Sequence, residues 1–215
     1  MPTKDLRSDG ASAGGAWVNR FLLPRLTQHF PNAPAVSCLQ IAPDDSSEAE
    51  RLRQIGYCCE MTEPTAAMKL SFPDSSWDFA FSGHFSLRAP DREARIALAK
   101  EMHRVLRRGG AVLLALGNRA CPLDLTRNGA LLHAAAGPHC LTLRETCDIM
   151  IDEAGFKTVG LLGVNGHFGW GSLSAIIRPI GSILDAHWRY LATPSRKWLY
   201  ASPLNPTLLL WFNKN

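Results

Sequence analysis

The alternation of apolar runs and polar stretches along the chain predicts an α/β protein. Apolar runs occupy residues 79–81 and 112–116, and residues 35–42 are apolar except for Ser37 and Gln40, which is typical of strands covered on both faces of a parallel sheet. Residues 94–106 carry apolar side chains at helical spacing, after Pro90-Asp91 and before Gly109-Gly110. Proline and aspartate favour a helix start, and glycine favours a left-handed helix end. This unit predicts two parallel strands joined by a right-handed crossover through a helix.

The same patterns predict the remaining elements of a single domain. Helices are expected over residues 16–30, with a kink at Pro24, and over residues 48–55 and 142–154. Further strands are expected over residues 57–62, 156–162 and 207–213. Residues 1–15 are small and polar and are predicted to be a disordered tail, so that the domain spans residues 16–215.

An aromatic-rich insertion, residues 165–203, precedes the last predicted strand and contains four tryptophan and tyrosine side chains after residue 187. It could form a lid over an apolar substrate pocket, a packed cap, or a surface that touches a membrane or a partner protein. The packed cap or lid is the preferred interpretation, because aromatic residues at helical spacing usually belong to a core.

Composition narrows the class of protein. The chain has 215 residues, 46% of them hydrophobic and 20% charged, as in an ordinary soluble domain. A net charge of +4 does not argue for nucleic acid, and no nucleic-acid-binding module is recognisable. None of the six cysteines forms a C-x-x-C pair, so no metal site is expected. Without a signal-like segment or a long apolar run, the sequence predicts a cytoplasmic protein; it does not indicate an oligomeric state.

Two phrases in the middle of the chain are specific enough to indicate a family. Residues 70–82 have the sequence L-S-F-P-D-S-S-W-D-F-A-F-S, and residues 101–110 have the sequence E-M-H-R-V-L-R-R-G-G before an apolar strand. In this order they resemble class I S-adenosylmethionine (SAM) dependent methyltransferases of the type called methyltransferase type 11. Ser71 and Arg108 stand where that family usually has proline.

The resemblance implies a fold and an activity. The expected fold is a doubly wound, mostly parallel sheet of the Rossmann-like methyltransferase type, with an antiparallel last strand. The implied cofactor is SAM, and the implied partner is a small molecule that accepts its methyl group.

The first half of the chain departs from the family pattern. After the first strand the family has G-x-G-x-G, because the backbone must approach the cofactor closely, whereas residues 41–46 have the sequence I-A-P-D-D-S. Asp45 and Glu48 instead have the spacing of a helix capping box. Ser71 follows Glu63 by only eight positions, which leaves no room for the family's usual helix and third strand. Some plant methyltransferase-like proteins are compressed in the same way.

Two functions therefore remain open. The chain is either an active methyltransferase with an unusual site or a methyltransferase-like protein that no longer methylates and acts as a binding or scaffolding partner.

Matching the chain to the family position by position gives the candidate site residues. Glu63, at the end of the second strand, is expected to accept hydrogen bonds from the ribose hydroxyls, or else to be a solvated acid. His84 is the candidate general base, because imidazole titrates near neutrality, although a lone loop histidine is more often structural. Asn118 and Arg119 follow the fifth strand of the family and are candidates for substrate contact. Ala66 stands where the family usually has an acid that accepts a hydrogen bond from the adenine amino group. The full set of expected cofactor contacts is Ile41, Ala42, Asp44, Glu63, Ala67, Met68, Ser82 and Gly83.

Overall fold

The computed structural model describes residues 22–31, 35–42, 47–83, 85, 89–119, 140–162 and 207–215. The predicted tail 1–15, the beginning of the predicted helix 16–30 and the insertion 165–203 lie outside these residues. The described elements, in chain order, are α1 (Leu23–His29), β1 (Ser37–Ile41), α2 (Ser47–Gln54), β2 (Cys58–Thr62), β3 (Trp77–Ser82), α3 (Arg92–Val105), β4 (Leu106–Asn118), β5 (Cys140–Leu141), α4 (Leu143–Cys147), a π-helical segment (Asp148–Glu153), β6 (Thr158–Leu162) and β7 (Thr207–Asn213).

These strands form one sheet in the order β2-β1-β3-β4-β7-β6, and the short β5 pairs with the end of β4. The neighbours β2, β1, β3 and β4 run parallel. Strand β7 lies between β4 and β6 and is antiparallel to both. The expected doubly wound, mostly parallel sheet with an antiparallel last strand is therefore confirmed.

The shortened first half is also confirmed. The chain is described throughout between Thr62 and Trp77, and it forms no strand there. A compact turn takes this place: the amide of Thr65 donates to the carbonyl of Lys69 at 3.0 Å, and Met68 donates back to Thr65 at 2.8 Å. As a result, β2 is an edge strand of the described sheet.

The helix α3 begins as its sequence predicts and ends earlier. Asp91 caps it by accepting a hydrogen bond from the amide of Ala94 at 2.7 Å. The helix ends at Val105, and β4 starts at the next residue. Gly109, with φ +79°, lies in an irregularity of β4 and does not end the helix, which corrects the sequence interpretation. The pairing of β3 with β4 shifts register there, and glycine permits the left-handed backbone that the shift requires.

The helix α1 contains Pro24 in its first described turn, a position where the missing N–H of proline costs no helix hydrogen bond. Residues 16–21 of the predicted helix lie outside the described residues, so the kink at Pro24 stays a prediction.

The apolar side chains of the sheet form two layers, one on each face. Along β1, Cys38 belongs to one layer and Leu39 and Ile41 to the other, because successive side chains of a strand point to opposite sides. The first layer packs against α1 and α2. The second packs against α3 and the π-helical segment, with the helical members Leu98, Ala99, Met102, Val105, Ile149 and Met150.

The two phrases that carry the family resemblance are bound to each other through Arg104. Its guanidinium contacts both carboxylate oxygens of Glu101, at 2.9 and 2.8 Å. It also donates to the carbonyls of Leu70 and Phe72, at 3.0 and 2.9 Å, and to Asp74 at 2.6 Å. We call this set of contacts the Arg104 clamp. It anchors the segment that replaces the missing strand to the helix α3.

Candidate functional site

The carboxyl ends of β1, β2 and β3 meet at one edge of the sheet, the edge at which ligands bind in doubly wound folds. The hydroxyl of Ser82 donates to the carbonyl of Ile41 at 2.9 Å. The amide of Ala42 donates to the carbonyl of Thr62 at 3.2 Å. The structure thus brings together three of the predicted cofactor residues, Ile41, Ala42 and Ser82, and all three are buried.

Gly83 continues from β3 at the same edge and is exposed. A Cβ atom built on it would have no heavy atom of the described residues within 4 Å. Among these residues, open space therefore adjoins the end of β3, next to the end of β1.

Glu63 follows the last residue of β2 and is exposed at this edge. An ionised carboxylate can accept two hydroxyl hydrogen bonds, so the side chain has the chemistry that a ribose diol requires. Because β2 pairs with β1 along its whole length, Glu63 and Ala42 lie at the ends of neighbouring strands.

Ala67 and Met68 lie in the turn between β2 and β3. Ala67 is exposed, whereas Met68 is half-buried against the core layer of α3 and has φ +57°. This left-handed backbone is uncommon for a non-glycine residue.

Asp44 and His84 lie outside the described residues. Phe85, directly after His84, is fully buried, and its carbonyl accepts a hydrogen bond from the amide of Ala89 at 3.1 Å. The chain beyond β3 is therefore anchored in the core one residue after the candidate base.

Arg119 has structural partners that its position in the sequence did not reveal. Its side chain donates to the carbonyl of Cys140 at 3.0 Å and to Glu145 at 2.6 Å, and its amide donates to Leu141 at 3.1 Å. These contacts hold β5 and α4 against the end of β4, where Asn118 pairs with Leu141.

Glu145 is held in its ionised form. Burial alone would raise its pKa, but the amide and hydroxyl of Thr142 and the guanidinium of Arg119 outweigh burial and lower the pKa below its usual range. Thr142 and Glu145 also form a complete capping box at the start of α4.

Sequence reasoning missed one polar side chain at the ligand-binding edge. Gln40 is the next-to-last residue of β1 and only 3% exposed. Its Nε2 lies 3.5 Å from a carboxylate oxygen of Glu48, in the first turn of α2. Its Oε1 has no hydrogen-bond partner in the described chain. A glutamine within the otherwise apolar run 35–42 was the available signal.

A cavity of about 310 Å³ lies away from this edge, at the amino ends of β1 and β3. It is beside the ion pair of Asp78 and Arg107, whose atoms are 2.9 Å apart. None of the predicted cofactor or substrate residues lines it; its walls are His29, Phe30, Pro31, Ala35, Val36, Asp78 and Arg107.

No helix within the described ranges is long and apolar enough to cross a membrane. In those same ranges, no three histidine, cysteine, aspartate or glutamate side chains are grouped as a metal site requires.

Residues 25–114 match the family model described as Methyltransferase domain. A search of curated proteins gave no match.

Solved structures with a similar fold include three from different organisms. A phosphoethanolamine N-methyltransferase 2 from Haemonchus contortus is 13% identical, with 89% of this chain and 51% of that chain covered and a TM-score of 0.50. A protein from Anabaena variabilis, described as a methyltransferase of an antibiotic biosynthesis pathway, is 11% identical, with 90% and 96% covered and a TM-score of 0.50. A SAM-dependent methyltransferase from Thermotoga maritima is 17% identical, with 93% of both chains covered and a TM-score of 0.47.

Proposed function

We propose, because residues 25–114 match a family model described as Methyltransferase domain, that this chain transfers the methyl group of SAM to a small molecule. The observation that carries the proposal is the convergence of Ile41, Ala42 and Ser82 at the carboxyl edge of a sheet with an antiparallel last strand. SAM supplies a methyl group that its positive sulfur already activates. The protein then has to align the two reactants and exclude water.

The residues at this edge fit an adenosyl ligand in two respects. Glu63 offers an exposed carboxylate for the ribose hydroxyls, and the open space beside Gly83 adjoins the ends of β1 and β3. The buried Oε1 of Gln40, which has no hydrogen-bond partner among the described residues, is a further acceptor at the end of β1.

We assign the remaining roles by their place in the fold. His84, between Gly83 and the buried Phe85, would take the proton of an acceptor that must lose one. Asn118, at the end of β4, would contact the acceptor. Arg119 would position β5 and α4 around it, since its guanidinium already contacts Cys140 and Glu145.

A second function is supported by the sequence between β1 and α2. It contains Pro43, which has no amide N–H, and no glycine. The described sheet also has no strand between β2 and β3. Both features favour a methyltransferase-like protein that has lost methyl transfer and serves as a binding or scaffolding partner.

Calorimetric titration with SAM and with its product S-adenosylhomocysteine (SAH) distinguishes the two functions. We expect micromolar binding of SAH, weakened about tenfold or more by Glu63→Ala through the loss of two charge-assisted hydrogen bonds. Glu60→Ala is the matched control, because Glu60 is an exposed acid three residues before Glu63, within β2. It should bind SAH like the wild type.

One result would count against methyl transfer and another against the role of Glu63. If folded protein binds neither ligand at millimolar concentration, the non-methylating function takes precedence. If Glu63→Ala and Glu60→Ala bind equally well, the ribose contact is assigned to the wrong residue.

A further inference from the structure

The cavity at the amino ends of β1 and β3 lies at the edge of the sheet opposite to the candidate methyl-transfer site. Its volume of about 310 Å³ is at the lower end of the range for small-molecule pockets, about 300–1,000 Å³. Such a volume admits a ligand of about one ring with a short substituent. All the residues that line it belong to the described part of the chain, and none of them has a role in the function proposed above.

An irregularity of β4 forms one side of this cavity. The pairing of Trp77 with Leu106 is followed by the pairing of Phe79 with Ala111. Between these pairs β3 advances from residue 77 to 79 and β4 from residue 106 to 111, so β4 carries three additional residues there. Arg107 lies in this bulge. Bulges redirect side chains in proteins, and here the bulge places a guanidinium in the wall of a cavity.

Arg107 supplies the cavity with hydrogen-bond donors. Its Nε donates to the carbonyl of Ser75 at 3.3 Å, and its Nη1 donates to the carboxylate of Asp78 at 2.9 Å. A guanidinium has five N–H groups, and these are its two hydrogen bonds to described residues, so three N–H groups remain for a ligand. The side chain is 52% exposed, so a ligand in the cavity can reach them.

Asp78 does not cancel the attraction of this wall for an anion, because its own charge is already matched. One of its carboxylate oxygens accepts from the amide and the hydroxyl of Ser37, at 2.9 and 2.7 Å, and the other accepts from Arg107. Arg108, the next residue of the bulge, is exposed and has no ion pair with a described residue. Two arginines therefore stand beside one carboxylate, and this balance of one positive charge suits a monoanion.

The other walls are mostly apolar and aromatic, and they are held in place before a ligand arrives. The ring of His29 packs edge-on against Phe30 and Trp211, with centroids 4.6 and 5.2 Å away. Its Nε2 lies 3.3 Å from the carbonyl oxygen of Gly109. A preformed wall lowers the ordering cost of binding. The apolar walls are Phe30, Pro31, Ala35 and Val36.

We propose that this cavity binds a small carboxylate with an aromatic or apolar body, at a site separate from the methyl-transfer site. The guanidinium of Arg107 holds the carboxylate, since the two planar groups can form two parallel N–H···O bonds. The apolar walls cover the body of the ligand. The inference does not rest on the proposed function, because the cavity shares no residue with the candidate cofactor or substrate contacts.

An NMR titration of isotope-labelled protein with benzoate tests this inference. We expect a dissociation constant of about 0.1–1 mM for so small a ligand. The amide signals of Ala35 and Val36 should shift, whereas that of Gly83, at the opposite edge, should not. Benzyl alcohol has the ring without the charge and should bind about tenfold or more weakly, the value of a charge-assisted hydrogen bond. Acetate has the charge without the ring and should bind more weakly for lack of apolar contact.

Three variants test the assignment of the residues. Arg107→Gln should weaken benzoate binding to the level of benzyl alcohol and leave the binding of benzyl alcohol nearly unchanged. Arg108→Gln is the matched control, because Arg108 is the exposed neighbour and does not line the cavity; it should bind benzoate nearly like the wild type. Ala35→Trp replaces an exposed wall residue by an indole that fills the cavity, and it should remove the binding of both ligands.

Several results would overturn the inference. One is that benzoate, at about ten times the highest expected dissociation constant, leaves the signals of Ala35 and Val36 in place. Another is that benzyl alcohol or acetate binds as tightly as benzoate. Equal losses in Arg107→Gln and Arg108→Gln would show a general attraction to positive charge, and full binding in Ala35→Trp would place benzoate elsewhere. If Arg107→Gln does not fold, Ala35→Trp and the comparison of the three ligands decide.

Discussion

Replacing Arg104 by methionine is expected to lower the free energy of unfolding by about 3 kcal/mol. Methionine keeps an unbranched apolar side chain on α3 and removes every hydrogen bond of the Arg104 clamp. Those bonds join α3 to the segment of residues 70–74, which stands where the sheet would otherwise have another strand. The substitution therefore tests whether the clamp holds the shortened first half of the fold.

The magnitude follows from the five contacts of the guanidinium. The two bonds to the carbonyls of Leu70 and Phe72 contribute about 1 kcal/mol each. The Arg104 side chain is 32% exposed and the Asp74 side chain is 77% exposed. Their ion pair therefore contributes almost nothing to the free energy of unfolding. Glu101, 19% exposed, contributes about 0.5–1 kcal/mol.

Urea unfolding of the purified protein measures this loss. With a slope of about 2–3 kcal/mol per molar urea, the midpoint should fall by roughly 1 M. Arg92→Met is the control, because Arg92 lies on the same helix and its ion pair with Glu153, at 3.1 Å, is largely exposed. It should cost at most about 0.5 kcal/mol. Hydrogen exchange adds a local measurement: the amide of Leu70, which donates to Glu101 at 3.0 Å, should exchange faster in Arg104→Met only.

The reasoning would be refuted if Arg104→Met and Arg92→Met had equal midpoints, because the clamp would then add nothing beyond a surface ion pair. Unchanged exchange at Leu70 together with a large loss of stability would also contradict it, since the segment would be held by something else.

Two further predictions concern Gly110 and Asp78, near the beginnings of β4 and β3. Gly110→Ala should lower the free energy of unfolding, measured by urea unfolding, by about 1–3 kcal/mol, because its Cβ would lie 2.8 Å from the backbone carbonyl oxygens of Arg107 and Asp78. Gly83→Ala should lower this free energy far less, because a Cβ there would lie within 4 Å of no heavy atom of the described residues. Burial of Asp78 would raise its pKa, but hydrogen bonds from Ser37 and Arg107 lower it below its usual range. The free energy of unfolding of the wild type should therefore fall as pH drops below about 4. In Asp78→Asn it should fall less steeply with pH. If the plots of unfolding free energy against pH were parallel for the two proteins, the ionised Asp78 would not stabilise the fold.

Local composition was sufficient for most of the elements. The last strand was predicted over residues 207–213 and is Thr207–Asn213, and the predicted strand 57–62 is Cys58–Thr62. Residues 208–212 of β7 are buried on both faces and apolar throughout, so their sequence alone identifies the strand. The two family phrases likewise indicated the strand, helix and strand that the structure contains.

The candidate site was predicted in part. Ile41, Ala42 and Ser82 come together because parallel strands end at one edge, which strand order alone implies. The partners of Arg119 were not predictable, since Cys140 and Glu145 lie more than twenty positions away in the sequence. The Arg104 clamp was not predictable for the same reason, because Arg104 of an E-x-x-R motif on a helix donates to carbonyls some thirty residues earlier in the sequence.

By itself, then, the sequence determined most of the elements and their order and indicated a family, because each depends on the composition of a few consecutive residues. Only the tertiary structure decided that Gly109-Gly110 serves a register shift within β4, and that the carbonyl oxygen of Gln40 is buried without a donor among the described residues. Hydrogen bonds and register join residues distant in the chain, and their geometry is set by packing, which no local pattern encodes.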